Sequence, residues 1–131
     1  MLTVWGRKNS SNVQPVMWCI AELGLVYKRH DVGGKFGGNK TKEFLAMNPN
    51  GTVPVIQDGE GEYLWESGAI LRYLANRYGQ APFWPPSLDE RTQIDKWAEW
   101  SKINIGLNFS KLIFVPLVLT PEDKRSQAAI E

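Results

Sequence analysis

The chain has 131 residues and a mass of 14.8 kDa, enough for one domain and part of another, and its 43% hydrophobic content suffices for a folded core. Its 15 basic and 14 acidic residues are interleaved and leave a net charge of +1, which argues against an electrostatic nucleic-acid surface. Cys19 is the single cysteine, so neither an internal disulfide nor a Cys-x-x-Cys pair can form. The opening "MLTVWGRKNS" lacks a basic segment followed by a long apolar run, and no window is expected to reach membrane-spanning length. The expectation is a soluble protein of a reducing compartment with no membrane partner, its six tryptophans placed in core and interface.

"LTVW", Leu2 to Trp5, alternates and is rich in β-formers, so it predicts a strand. "GRKNSSN" is turn chemistry, with Ser11 or Asn12 as the N-cap of a helix over "VQPVMWCIAEL". Pro15 falls in the first turn, where its missing N–H has no intrahelical partner to lose. Val16, Ile20 and Leu23 share one face, and Gly24 closes the helix. "VYKRHDV" is a second strand, "GGKFGGNK" a flexible glycine-rich loop, and "TKEFLAMN" a short helix ending before Pro49. "VIQ" and "YLW" flank "DGEGE" as a hairpin. "SGAILRYLANRY" follows as an amphipathic helix, with Ser67 as N-cap, Gly79 as stop and Ile70, Leu71, Leu74 and Tyr78 inward. The order is β-α-β-α-β-β-α, which predicts a parallel first pair of strands and an antiparallel last pair.

"QAPFWPPSLD" is Pro-rich and reads as a linker. From Asp89 a long helix is expected, with Ile94, Trp97, Ala98, Ile105 and Phe109 on a broad face. Gly106 weakens it by roughly 1 kcal/mol relative to Ala, and Pro116 ends it. "TPED" then offers a fresh helix start, with Thr120 as cap and Pro121 as the first residue.

Three pieces carry chemistry. Ser10, Ser11 and Asn12 occupy the loop at the carboxyl end of the first strand, where open α/β sheets bind ligands. The bond before Pro54 is a candidate for cis, a form that X–Pro bonds tolerate best. Such a bend would turn the Val53 N–H and C=O outward, open to an extended peptide added as a strand. Glu66–Ser67 opens a helix N-terminus suited to a carboxylate. Each residue also has a purely structural reading: Ser10, Asn12 and Ser67 as caps, Pro54 as an edge-strand proline, Lys40 as solvated surface. Cys19 reads as a buried small hydrophobe, and His30 as structural.

"NPNGTVPVIQDG", "WESGAILRYLA" and the strand–"SSN"–helix opening resemble the N-terminal domain of cytosolic glutathione S-transferases, the bacterial and serine-type branches above all. The likeness implies an α/β thioredoxin-like β-α-β-α-β-β-α domain over residues 1–80, a linker over 81–88 and an incomplete all-helical domain over 89–131. It makes glutathione the co-substrate, with no metal. Ser10 then falls where serine-type members hold the sulfur, and Asn12 where bacterial relatives place an asparagine near it. Val53, beside Pro54, would pair its backbone with the cysteinyl unit. Glu66 and Ser67 would hold the γ-glutamyl amine and carboxylate, and Lys40 with Asn39 the glycine carboxylate. Thr52 departs from the Gln or Lys of many members.

The implied activity is thiolate attack on a small-molecule electrophile or a disulfide, in the cytoplasm, by a homodimer in the full-length form. A non-catalytic glutathione-binding domain, or an inactive fragment of a longer transferase, is the alternative. On the likeness, this short chain is expected to bind glutathione weakly and turn over poorly.

Overall fold

The computed structural model describes residues 1–126. The chain divides into two units, Met1–Pro85 and the residues from Pro86 onward.

In the first unit, strand β1 (Leu2–Trp5) turns Leu2 and Val4 to one face of the sheet, where both are buried. Helix α1 (Val13–Glu22) crosses over that face, and β2 (Tyr27–His30) returns parallel to β1, with Leu2 opposite Tyr27 and Trp5 opposite His30. After α2 (Lys42–Met47), β3 (Val55–Asp58) pairs antiparallel with β1, and β4 (Leu64–Trp65) pairs antiparallel with β3. The sheet order is β2-β1-β3-β4, and α3 (Ser67–Tyr78) packs beside α1. The predicted element order and both strand pairings are found.

Leu2, Val4, Val16, Ile20, Ile56, Ile70 and Leu74 form the core between the sheet and the two helices. Each buried aliphatic side chain of this kind contributes about 1.5–3 kcal/mol over its exposed state. Cys19 joins them, and burial pushes its thiol pKa up, so it packs as a small apolar group. His30 stacks on Trp5 with ring centroids 5.8 Å apart, and Tyr63 meets Trp5 edge-on.

Several local expectations are corrected. The second strand is shorter than "VYKRHDV": Val26 is exposed, and Val32 accepts instead from the Arg7 N–H at 3.0 Å. The glycine-rich loop holds a 3-10 turn, Gly34–Phe36, closed by a 2.7 Å bond from the Gly33 N–H to Gly37 O. Of the six tryptophans only Trp84 is buried, its indole N–H donating to Asn76 Oδ1 at 2.9 Å. Trp18 lies on the solvent side of α1 and donates to Glu22, which satisfies its N–H without burial.

In the second unit, Ser87 caps α4 (Leu88–Trp100) by accepting from the Glu90 N–H at 3.4 Å. The helix does not stop at Pro116. It continues with π-type turns over Ser101–Leu107 and Ser110–Leu119, the longer hydrogen-bond spacing carrying the chain past Gly106 and the proline. Thr120 ends it, bonded back to Val115 O through both its N–H and its hydroxyl, so it is a C-terminal residue and not the cap of a new helix. Pro121 precedes only a 3-10 turn, Glu122–Lys124, and the rest of that expected helix lies outside the described residues.

The run Leu88–Leu119 is 32 residues long and has a window of mean hydropathy 1.4, so by length and composition it is long and apolar enough to cross a membrane. That corrects the expectation of no such window; the helix was expected to end at Pro116, and it runs on to Leu119. Its apolar side chains point to all sides over Ser110–Leu119 and none is buried, so no single core-facing stripe forms there.

A polar clamp closes the far end of β3. Asp58 accepts from the Tyr73 hydroxyl at 2.9 Å and from the Tyr78 hydroxyl, and pairs with Arg77 Nε at 3.3 Å. Burial alone would raise the Asp58 pKa, but the two tyrosine bonds and the Arg77 charge outweigh it and leave the carboxyl lowered. A folded pKa below the unfolded value of about 3.9 means the stabilisation is complete above that pH and fades as pH falls through the folded value. Asp58→Asn is expected to cost about 1–3 kcal/mol at neutral pH by urea denaturation. The gap from the parent protein is expected to close on acidification below about pH 4.

Candidate active site

The sheet register brings the predicted residues to one end. Trp5, His30, Val55 and Trp65 form a row across the four strands. The residues just beyond that row are Gly6, Pro54 and Glu66, so the loop after β1, the entry to β3 and the start of α3 meet there. Gly6 makes the closeness possible. A Cβ on it would lie 2.6 Å from Val13 Cγ2 and 3.4 Å from Val53 Cβ, so any larger residue would push α1 away from the entry to β3. The Gly6 carbonyl is held by Arg29 Nη1 at 2.7 Å, a bond that pins the loop to β2.

Ser10 is 6% exposed, and its hydroxyl makes no hydrogen bond among the described residues. Its carbonyl accepts from the Val13 and Gln14 N–H groups at 3.0 Å, so the first turn of α1 is satisfied by backbone. Asn12 occupies the N-cap with helical dihedrals and makes no side-chain cap bond. Asn12 thus holds the expected N-cap position, but neither its side chain nor that of Ser10 is spent on the helix.

Val53–Pro54 is cis, as is Ala81–Pro82, which the sequence did not suggest. Val53 stands outside the β1–β3 ladder, and neither its N–H nor its C=O has a backbone partner among the described residues. Its side chain lies 3.4 Å from where a Cβ on Gly6 would stand and 3.5 Å from where one on Gly33 would.

Glu66, not Ser67, is the N-cap of α3, with φ 69° and ψ 113°, and it is the only non-glycine residue at positive φ among the described residues. The cap expectation for Ser67 is thus corrected; Ser67 is the first helical residue. A residue held there costs about 1–3 kcal/mol and is kept only where the surroundings require it. Here the sheet end and the helix start leave no room for an extended linker.

Asn39 and Lys40 are drawn to the turn before Val53. Asn39 Nδ2 donates to Gly51 O at 2.8 Å, and Lys40 Nζ to Asn50 O at 3.3 Å. The Asn39 amide is used structurally, while the ammonium of Lys40 remains exposed beside it. Thr52 is exposed and takes a bond from Asn48 through its Oγ1.

Asn48 is the residue that sequence reasoning missed. It is wholly buried, donates to Thr52 O at 2.9 Å and Thr52 Oγ1 at 3.2 Å, and accepts from the Asn50 N–H and side-chain amide. The "NPNG" run marked a turn but not which asparagine would build it.

This geometry defines a thioredoxin-like domain with an unpaired backbone at the entry to β3 and an unengaged hydroxyl in the loop before α1, both at the same end of the sheet. A profile described as "Glutathione S-transferase, N-terminal domain" matches residues 1–76. The chain belongs to the glutathione S-transferase family. It is 46% identical over 132 aligned positions to glutathione S-transferase GstB of Escherichia coli K12, covering 100% of this chain and 63% of that protein. It is 35% identical over 101 positions to protein URE2 of Eremothecium gossypii, covering 72% of this chain and 28% of that protein. The structure of a theta-class glutathione S-transferase from Xanthomonas axonopodis pv. citri, with glutathione bound, superposes with a TM-score of 0.88 at 46% identity, over 98% of this chain and 61% of that one. The chain thus spans about 63% of the length of the GstB relative.

Loss of the Asn48 amide in Asn48→Ala strands a buried turn and is expected to cost about 1–3 kcal/mol in chemical denaturation. Ser10→Ala removes a hydroxyl with no protein partner and is expected to change stability by less than about 0.5 kcal/mol.

Proposed function

We propose that this chain carries the glutathione site of a glutathione transferase, with residues 1–80 as the glutathione-binding domain, 81–88 as linker and 89–131 as the start of the helical domain. The observation that carries the reading is that Val53's unpartnered backbone and the unengaged Ser10 hydroxyl lie at the same sheet end. An extended peptide laid beside Val53 gains two backbone bonds and sets its central side chain toward the β1–α1 loop. For glutathione that side chain is a thiol.

A thiol of ordinary pKa about 8.5 is mostly protonated at neutral pH, and the thiolate is the nucleophile. A hydroxyl donating to a charged acceptor contributes about 1.5–3 kcal/mol, and the N-terminus of α1 adds about 0.3–2 kcal/mol. At about 1.36 kcal/mol per pKa unit these lower the bound thiol by one to three units. Ser10 donates its proton in a hydrogen bond and need not ionise; Asn12 stands two residues on as a second donor. Glu66 and Ser67, at the start of α3, take the γ-glutamyl end. Lys40, with Asn39 and Thr52 beside it, takes the glycine carboxylate. In the reaction the thiolate forms a bond to the electrophilic carbon or sulfur as the leaving group departs with its electron pair. We place the protein in the cytoplasm, and its full-length form in a homodimer.

Calorimetric titration of glutathione into the chain is expected to give saturable binding that Glu66→Ala weakens; absence of any binding would sink the reading. Ser10→Ala is expected to raise the pKa of bound glutathione by about one to two units, read as a loss of thiolate absorbance near neutral pH. An unchanged spectrum moves the thiolate donor to Asn12 or to backbone N–H groups. Thiolate formation without conjugation of a chlorodinitrobenzene-type electrophile would favour a glutathione-binding domain without turnover.

A further inference from the structure

The cations around the site are unequally employed. Asp31 pairs with Arg29 and accepts the Lys8 N–H, so this carboxylate is spent on β2 and on the backbone of the β1–α1 loop. Lys35 lies over the Phe36 ring, and Lys40 donates to Asn50 O. Arg7 is different. It follows Gly6 directly, and its carbonyl accepts the Ser10 N–H at 3.2 Å, so it belongs to the turn that presents the Ser10 hydroxyl. Its side chain is half-buried and makes neither an ion pair nor a hydrogen bond among the described residues.

Its direction is set by the glycine turn. A Cβ on Gly34 would lie 2.5 Å from Arg7 Nε and 3.0 Å from its Cδ, and Gly34 sits at φ +57°, so the turn leaves a slot that the arginine stem fills. A Cβ on the neighbouring Gly33 would lie 3.5 Å from both methyls of Val53, so this turn runs beside the residue that leads into β3. The guanidinium therefore lies against the Gly34 turn, which follows β2, and its donors make no hydrogen bond among the described residues. A partly buried guanidinium costs desolvation that a carboxylate in the site would offset, and its planar fork suits such a group.

We propose that Arg7 is a specificity residue that selects second substrates carrying a carboxylate near their reactive centre. This rests on the glutathione-site reading above, and it concerns the partner of the thiol, not glutathione itself.

Two thioether conjugates of glutathione test it by calorimetry on the chain: S-pentylglutathione, and S-(4-carboxybutyl)glutathione with its added carboxylate. The carboxylated conjugate is expected to bind about tenfold tighter, the equivalent of one charge-assisted bond. Arg7→Gln should abolish that preference while leaving the affinity for S-pentylglutathione unchanged, and Arg7→Lys should restore part of it. Raising salt from about 0.05 to about 0.5 M should narrow the gap in the parent protein. Equal affinity for the two conjugates in the parent, or an equal loss for both in Arg7→Gln, overturns the proposal while the glutathione site stands. Failure of the parent to bind either conjugate overturns the site reading and this proposal with it. Circular dichroism of Arg7→Gln and its unchanged affinity for S-pentylglutathione together guard against a folding defect.

Discussion

Asn48 has no solvent exposure, and four hydrogen bonds join it to the two residues that follow Pro49 and Gly51. A buried amide so fully satisfied costs little to keep and much to break. Through it the segment from Asn48 to Thr52 is a closed turn and not a slack connector. That turn delivers Val53 to the end of the sheet, where its peptide groups have no backbone partner among the described residues. Were the turn loose, the natural course for Val53 would be to extend β3 by a residue and pair with β1.

The other half of the site depends on Gly6, where the absence of a side chain lets Val13 and Val53 approach from opposite sides. The start of α1 and the entry to β3 are thereby neighbours, though many residues separate them along the chain. The backbone of Ser10 completes the first turn of α1, which leaves its hydroxyl unengaged. No side-chain nitrogen or oxygen among the described residues is both buried and unpartnered, so the unengaged Ser10 oxygen reaches the surface of the domain although the rest of the residue is covered.

The two units solve the burial problem differently. In Met1–Pro85 a sheet and two helices bury one continuous apolar cluster. The helical run of the second unit exposes Trp97, Trp100, Ile105, Phe109 and most of its aliphatic side chains. The chain spans 63% of GstB and 61% of the Xanthomonas structure, so in those relatives the aligned helix is accompanied by further residues.

Alternation in "LTVW", the 3.6-residue spacing of Val16, Ile20, Ile70 and Leu74, and the turn residues between elements were enough to determine the order of strands and helices, the parallel and antiparallel pairings, and most of the core. These are local periodicities, and local periodicity survives in a string of letters. The cis bond before Pro54 and the unpaired Val53 were also legible, whereas the cis bond before Pro82 was not. Tertiary structure alone decided which asparagine builds the turn, that Glu66 and not Ser67 holds the N-cap position of α3, and that Ser10 and Asn12 spend no side-chain bond on α1. It also decided that most tryptophans stay outside the core, and that the last helix runs through Pro116. Each of these turns on which of several equally capable groups reaches a partner first, and that is settled by the distances between segments far apart in sequence.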